Sequence, residues 1–162
     1  LDKLNAYLSK VSSHCKTIHY ENPNMVVGCI VEFEGKILLA KRGIEPRKNY
    51  WNLPCGFLEM NENVEDGALR EVYEETGLQV RITKLHTLYN VVHSGQVYLI
   101  FSAIADNSNF KDTFETIESK FFSPAEIPWE EIAFSANTFA LKKYLEPDSK
   151  MQDFVHIGST LN

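Results

Sequence analysis

The chain has 162 residues, 44% hydrophobic and 23% charged, which is one domain's length at globular composition and argues against disorder, collagen-like repeats and coiled coil. Its 16 Lys+Arg face 22 Asp+Glu, a net charge of −6 without the basic surplus of a duplex-binding protein, so a nucleic acid polymer is not expected. No apolar run reaches the roughly 18 residues of a membrane span, residues 1–10 hold no signal-type h-region, and Cys15, Cys29 and Cys55 lack C-x-x-C spacing, which together predict a cytoplasmic, reducing setting without membrane contact.

Residues 1–12 have a helical pattern, with Leu1, Leu4, Leu8 and Val11 recurring every three or four positions. Residues 13–24 are polar and end in the turn Asn22-Pro23-Asn24. A main domain is expected over 25–147, with 148–162 as a tail. Met25–Phe33 and Lys36–Lys41 read as strands joined by a Glu34-Gly35 hairpin turn. The charged stretch 42–50 is a loop containing Pro46, and a short strand is expected at Trp51–Leu53 before Pro54.

Asn63–Thr76 is helical, with Asn63 as N-cap, Asp66 in the capping-box position and Gly77 as the stop. Strands follow at Gln79–Val92 and Gln96–Ala105, then a polar loop over 106–116 and an edge strand at Lys120–Phe122. A short helix begins near Ser123-Pro124 and a last one covers about Asn137–Leu145. The sum is an α/β chain with a mixed sheet.

One helix is dense in carboxylates. Glu71, Glu74 and Glu75 are spaced i, i+3 and i+4 and share a face, while Leu69 and Val72 point to the core. Like charges at these spacings cost a few tenths of a kcal/mol per pair, and the negative end of the helix dipole adds to the cost. Hard divalent cations with oxygen ligands would offset it. A solvated acidic face is the alternative reading. Upstream, Gly56-Phe57-Leu58-Glu59-Met60-Asn61-Glu62 is a loop that brings a backbone carbonyl and Glu62 toward the helix start.

The pattern Gly56, five residues, Glu62, seven residues, then Arg70-Glu71-Val72-x-Glu74-Glu75-x-Gly77-Leu78 resembles a complete Nudix box. That resemblance implies an α/β/α sandwich around a mixed sheet and a Mg²⁺-dependent hydrolase (Mn²⁺ as substitute) acting on a nucleoside diphosphate linked to another moiety. It further implies Glu71, Glu74 and Glu75 as metal ligands, with the Cys55 backbone carbonyl and Glu62 contributing. Arg70 would orient a helix carboxylate, and a carboxylate beyond the box would act as base or extra ligand. Glu115 and Glu118 are the candidates for that last role; Glu118 is preferred because it precedes the expected edge strand.

The flanks, Ile18-His19-Tyr20, Val26-Val27-Gly28, Arg42-Gly43-Ile44-Glu45-Pro46-Arg47 and Trp51-x-Leu53-Pro54, are similar to the FAD and ADP-ribose pyrophosphatase group. That group usually carries an N-terminal zinc ribbon. Here Ser12-Ser13-His14-Cys15-Lys16 retains one cysteine of it, so 1–24 reads as a degenerate remnant and no zinc is expected. Cys55 stands where the family has a small residue and reads as a packed apolar side chain, with a reactive thiol as the sharper alternative.

For the substrate, Arg42, Arg47 and Lys48 are candidates to hold phosphate oxygens, and Tyr89, His93 and Tyr98 to line a ring pocket. FAD leads, cleaved to FMN and AMP, with ADP-ribose second and oxidised nucleoside triphosphates third. The array marking NADH-preferring members is missing after the box. A non-catalytic nucleotide sensor is the rival class, disfavoured because the box keeps all its glutamates. A homodimer is common in the family, and segment 1–12 could pack on a partner or on its own sheet.

Overall fold

β1 (Asn24–Phe33) is apolar on both faces because both are covered. A computed structural model describes residues 22–111, 113–147, 149 and 153–160, so the expected helix at 1–12 and the segment around His14 and Cys15 lie outside the described residues. Along β1, Val26 and Ile30 enter a core cluster shared with α2 (Ser135–Tyr144). Val27, Cys29 and Val31 enter a second cluster shared with α1 (Val64–Thr76). The helices therefore cover opposite faces of the sheet in an α/β/α sandwich.

The predicted hairpin joins β1 to β2 (Lys36–Arg42) through Glu34 (φ 50°) and Gly35 (φ 74°), the two positive φ values that a tight two-residue turn demands. The two strands pair only at Glu32↔Ile37 and Phe33↔Lys36 before they diverge. Two short strands fill the wedge between them: β3 (Trp51–Asn52) pairs with β2, and β4 (Cys55–Phe57) pairs with β1. Gly28 faces Cys55 across that pairing, and a Cβ at Gly28 would lie 2.2 Å from the Cys55 Cβ, so the glycine makes room for the cysteine.

Beyond β1 come β6 (Gln96–Ala105), parallel to it, then β5 (Val80–Val91), antiparallel to β6. The predicted edge strand is β7 (Thr116–Phe122), longer at its start than expected, and it pairs with the outer side of β2. Ser123–Glu126 forms a capping box on a single 3₁₀ turn with Pro124 at its first position.

The tail departs from expectation. His156–Thr160 forms β8, which adds to β5 in parallel. Its five residues are short and mixed in polarity, so period-two patterning carried no signal there.

β8 and α2 together bury His86. Its ring lies edge-on to Tyr144 at 5.4 Å and 5.0 Å from the His156 ring. Burial first, then the neighbouring His156, pushes the His86 pKa down from 6.5 to about 4, against an opposing hydrogen bond with the Ala140 backbone. A depressed folded-state value stabilises the fold above the unfolded pKa, and that stabilisation drains as pH falls from 6.5 toward 4. The stability difference between wild type and His86→Leu, from melts at each pH, should be level from pH 8 to 7 and then shift against the wild type by up to about 3 kcal/mol on acidification to pH 4, which separates it from the opposing titration of Glu75. A difference that does not change with pH would remove His86 as its source.

Candidate active site

α1 starts where the sequence places it. The Asn63 side chain accepts from the Asp66 N–H at 2.8 Å, and Gly77 closes the helix at φ 74° with its N–H on the Tyr73 carbonyl. Asn63 Nδ2 also donates to Asp66 Oδ2 at 2.7 Å, a side-chain version of the expected capping box. With its ends fixed, the helix sinks Ala68 and Val72 into the core and turns Glu71, Glu74 and Glu75 toward the β3–β4 wedge. The approach is close: a Cβ on Gly56 would lie 2.4 Å from Glu71 Oε2.

Arg70 gathers the acidic groups. It binds Glu62 through two nitrogens, Nε at 3.0 Å and Nη2 at 2.7 Å, in a bidentate pair. Nη1 donates to Glu71 at 2.6 Å and to Glu74 at 3.1 Å, and Nη2 reaches the Phe57 carbonyl at 3.1 Å. Hydrogen bonds from Arg70 and the Glu59 N–H hold the Glu62 carboxyl down at about 2. Glu71 moves the other way: burial raises its pKa, Arg70 opposes, and the charges of Glu74 and Glu115 add to the rise. Glu75 rises to about 8, through burial first and then the Glu71 charge, with the Cys55 backbone and Arg42 opposing.

Two buried carboxylates pushed toward their neutral forms by their surroundings mark a site short of positive charge. Every donor they present is a hard oxygen, the chemistry of Mg²⁺ or Mn²⁺. Among the described residues no three acidic, His or Cys groups are already gathered at coordination spacing, Arg70 being bonded to an oxygen of Glu71 and of Glu74. Their donor chemistry fits a dication.

The carboxylates open onto a cavity of about 920 Å³. Arg42, Arg47, His93, Tyr98 and Cys55 line it, whereas Lys48, named with the two arginines for phosphate oxygens, does not. Arg42 is held on two sides, its Nε on the Pro46 carbonyl at 2.8 Å and its guanidinium 5.1 Å from the Phe134 ring centre. Arg47 sits at φ 64°, a conformation a non-glycine residue adopts only when the surrounding loop imposes it. The Cys55 thiol is buried and its pKa is pushed up, chiefly by that burial, the setting of a packed apolar side chain.

Two expectations need correction. Glu118 does not reach the cavity: it is exposed on β7, paired with Lys41 of β2. Glu115 lines the cavity instead, because the Gly43 N–H donates to its carbonyl at 2.7 Å and ties the loop down beside Arg42. Tyr89 is buried against Phe139, ring centres 5.0 Å apart, in the core beneath α2. Glu62 has both oxygens on Arg70, at the edge of the cluster.

Sequence reasoning missed Asn52, Gln96 and Phe134, which also line the cavity. All three lie in or beside flanking segments similar to the family, but no local signal marks them as pocket residues. Gly56→Ala should displace Glu71 and cut metal-dependent hydrolysis on the order of 100-fold, as perturbed ligand geometry does, with the circular dichroism of the fold retained. Activity within two-fold of wild type would show that the Gly56–Glu71 approach is not required.

Known proteins are similar to this chain in sequence and fold. A NUDIX domain model matches residues 22–142. A MutT-like protein of Streptomyces ambofaciens is 31% identical over 102 residues, 63% of this chain and 64% of that protein. An ADP-ribose pyrophosphatase of Methanocaldococcus jannaschii is 42% identical over 71 residues, 44% of this chain and 42% of that protein. The chain thus spans less than two thirds of the length of these relatives. A Nudix hydrolase structure from Nitrosomonas europaea superposes with a TM-score of 0.87 at 41% identity, covering 93% of this chain and 85% of the other. An ADP-ribose pyrophosphatase structure from Streptococcus suis, at 22% identity and a TM-score of 0.69, has the same fold over 86% of this chain and 100% of its own. With the acidic helix, its arginine and the glycine approach in place over a match of that extent, the chain belongs to the Nudix family.

Proposed function

We propose that the protein hydrolyses the diphosphate linkage of a nucleoside diphosphate derivative, with ADP-ribose the first substrate to test and FAD the second. The observation that carries this reading is the convergence of Glu71, Glu74, Glu75 and Glu115 with Arg42 on one cavity. ADP-ribose moves ahead of FAD because Tyr89, one of the three expected ring contacts, is spent in the core, and because a curated relative is an ADP-ribose pyrophosphatase.

Glu71, Glu74, Glu75 and the Cys55 carbonyl would hold the dication, which when bound polarises the phosphoryl oxygens and offsets the carboxylates' charge. Arg42, with Nε occupied by Pro46, has Nη1 and Nη2 left to grip diphosphate oxygens as a planar fork. Glu115 accepts the proton of the attacking water as its oxygen bonds to phosphorus and the bridging P–O bond breaks. The bridging oxygen leaves on the second phosphate. Tyr98, His93 and Phe134 supply the ring contacts that hold the base or its partner.

Incubation with Mg²⁺ or Mn²⁺ should give AMP and ribose 5-phosphate from ADP-ribose, or AMP and FMN from FAD, separated by chromatography. Chelation by EDTA should abolish turnover. Glu115→Gln should lower kcat at least 100-fold, the scale of a lost general base, while Glu118→Gln should stay within two-fold. Binding of either nucleotide without cleavage would make the protein a sensor, and equal losses in the two variants would withdraw Glu115 as the base.

A further inference from the structure

β4 touches the acidic helix with three consecutive residues. The Cys55 backbone acts on Glu75, Gly56 abuts the Glu71 carboxylate, and the Phe57 carbonyl accepts from Arg70 at 3.1 Å. The register of β4 against α1 therefore sets where the carboxylates stand. Yet β4 is three residues long and its ladder partner is β1 alone. Such a strand is placed largely by the turn that leads into it.

That turn crosses the wedge from β2's side to β1's side between Asn52 and Cys55. Inside it, Asn52 Nδ2 donates to Cys55 Sγ at 3.4 Å. Asn137 Nδ2, from α2 and 85 residues away, donates to Asn52 Oδ1. Both amides are out of water, at 1% and 0% exposure. The backbone repeats the tie, since the Ala133 N–H donates to the Trp51 carbonyl at 2.8 Å and Trp51 bridges to Ile132. The bond satisfies the Asn137 Nδ2 donor while Asn137 Oδ1 has no partner among the described residues, so a shifted arrangement would strand further polar atoms away from water. The first turn of α2, on the far face of the sheet from α1, is thereby strutted to the cavity floor.

We propose that Asn137 is a positioning residue: acting through Asn52 and Cys55, it sets β4 against α1 and so sets the affinity of the carboxylate cluster for its divalent cation. This rests on the metal-dependent reading above. Neither asparagine carries charge or belongs to the box, and Asn137 does not line the cavity, so its effect on the cation is transmitted and not direct.

The test is Mn²⁺ binding to substrate-free protein, read from the electron paramagnetic resonance signal of unbound Mn²⁺. Asn137→Leu keeps the shape of the side chain and removes the donor. It should raise the Mn²⁺ Kd roughly 10- to 100-fold, the range for outer partners of metal ligands. Half-activating Mg²⁺ should rise by the same factor, with kcat recovering at excess metal. Leu141→Ala, a buried change on the same helix that leaves the amides untouched, should lower Tm and leave the Mn²⁺ Kd within two-fold. Asn137→Ala supplies the same reading if the leucine variant does not fold. Wild-type Kd in the Asn137 variants, or equal weakening in Leu141→Ala, would reduce Asn137 to a packing residue. Failure of the wild type itself to bind Mn²⁺ would overturn the metal-dependent reading and this inference with it.

Discussion

One guanidinium holds the acidic cluster together. Arg70 spreads its nitrogens over Glu62, Glu71, Glu74 and the Phe57 carbonyl, joining the loop before α1, the helix itself and β4. A lysine could not do this, because one rotating ammonium cannot present fixed donors in three directions at once. The cluster stays acidic even so. Glu75 has no cationic side chain paired with it among the described residues, and Glu71 is still pushed toward its neutral form. The protein folds around a negative potential it only partly neutralises. The remaining attraction is available to a dication and, through Arg42 across the cavity, to a phosphate.

The sheet is arranged to serve that cluster. Because β1 and β2 pair at only two positions before separating, a gap opens in the sheet, and β3 and β4 close it with five residues between them. Through this gap the carboxylates of α1 meet side chains such as Asn52, Cys55 and Tyr98, which otherwise belong to the opposite face. An unbroken ladder would have walled the two layers off from each other. Gly28 and Gly56 are the positions where the closure is tightest, and there a side chain has no space to occupy.

The acidic helix was legible in the sequence almost to the residue, because its caps, charge spacing and core positions are all local signals. The central strands were equally clear, since a strand covered on both faces leaves a continuous apolar run. What stayed hidden is set by contacts distant in sequence. Glu115 and Glu118 look alike as letters, and only the Gly43–Glu115 backbone bond decides which one faces the cavity. Tyr89 sits on a strand whose side chains alternate, and its face is fixed by Phe139, fifty positions on, and by Gly158 of β8. β8 itself is five mixed residues that become a strand because β5 offers an open edge.

The parallel pairing of β1 with β6 has a kinetic consequence. It aligns Asn24 with Gln96 and Glu32 with Ile104, so the central ladder joins residues 72 positions apart along the chain. Contacts this far apart along the chain are entropically costly to close and slow the folding that depends on them. During synthesis the Val26–Val31 stretch emerges early, with the β2 hairpin to protect one edge near its far end. Its other edge has no partner until residue 104 has left the ribosome. A strand apolar on both faces is therefore left with an open edge while the chain is made, and the nascent chain's need for protection is greatest there.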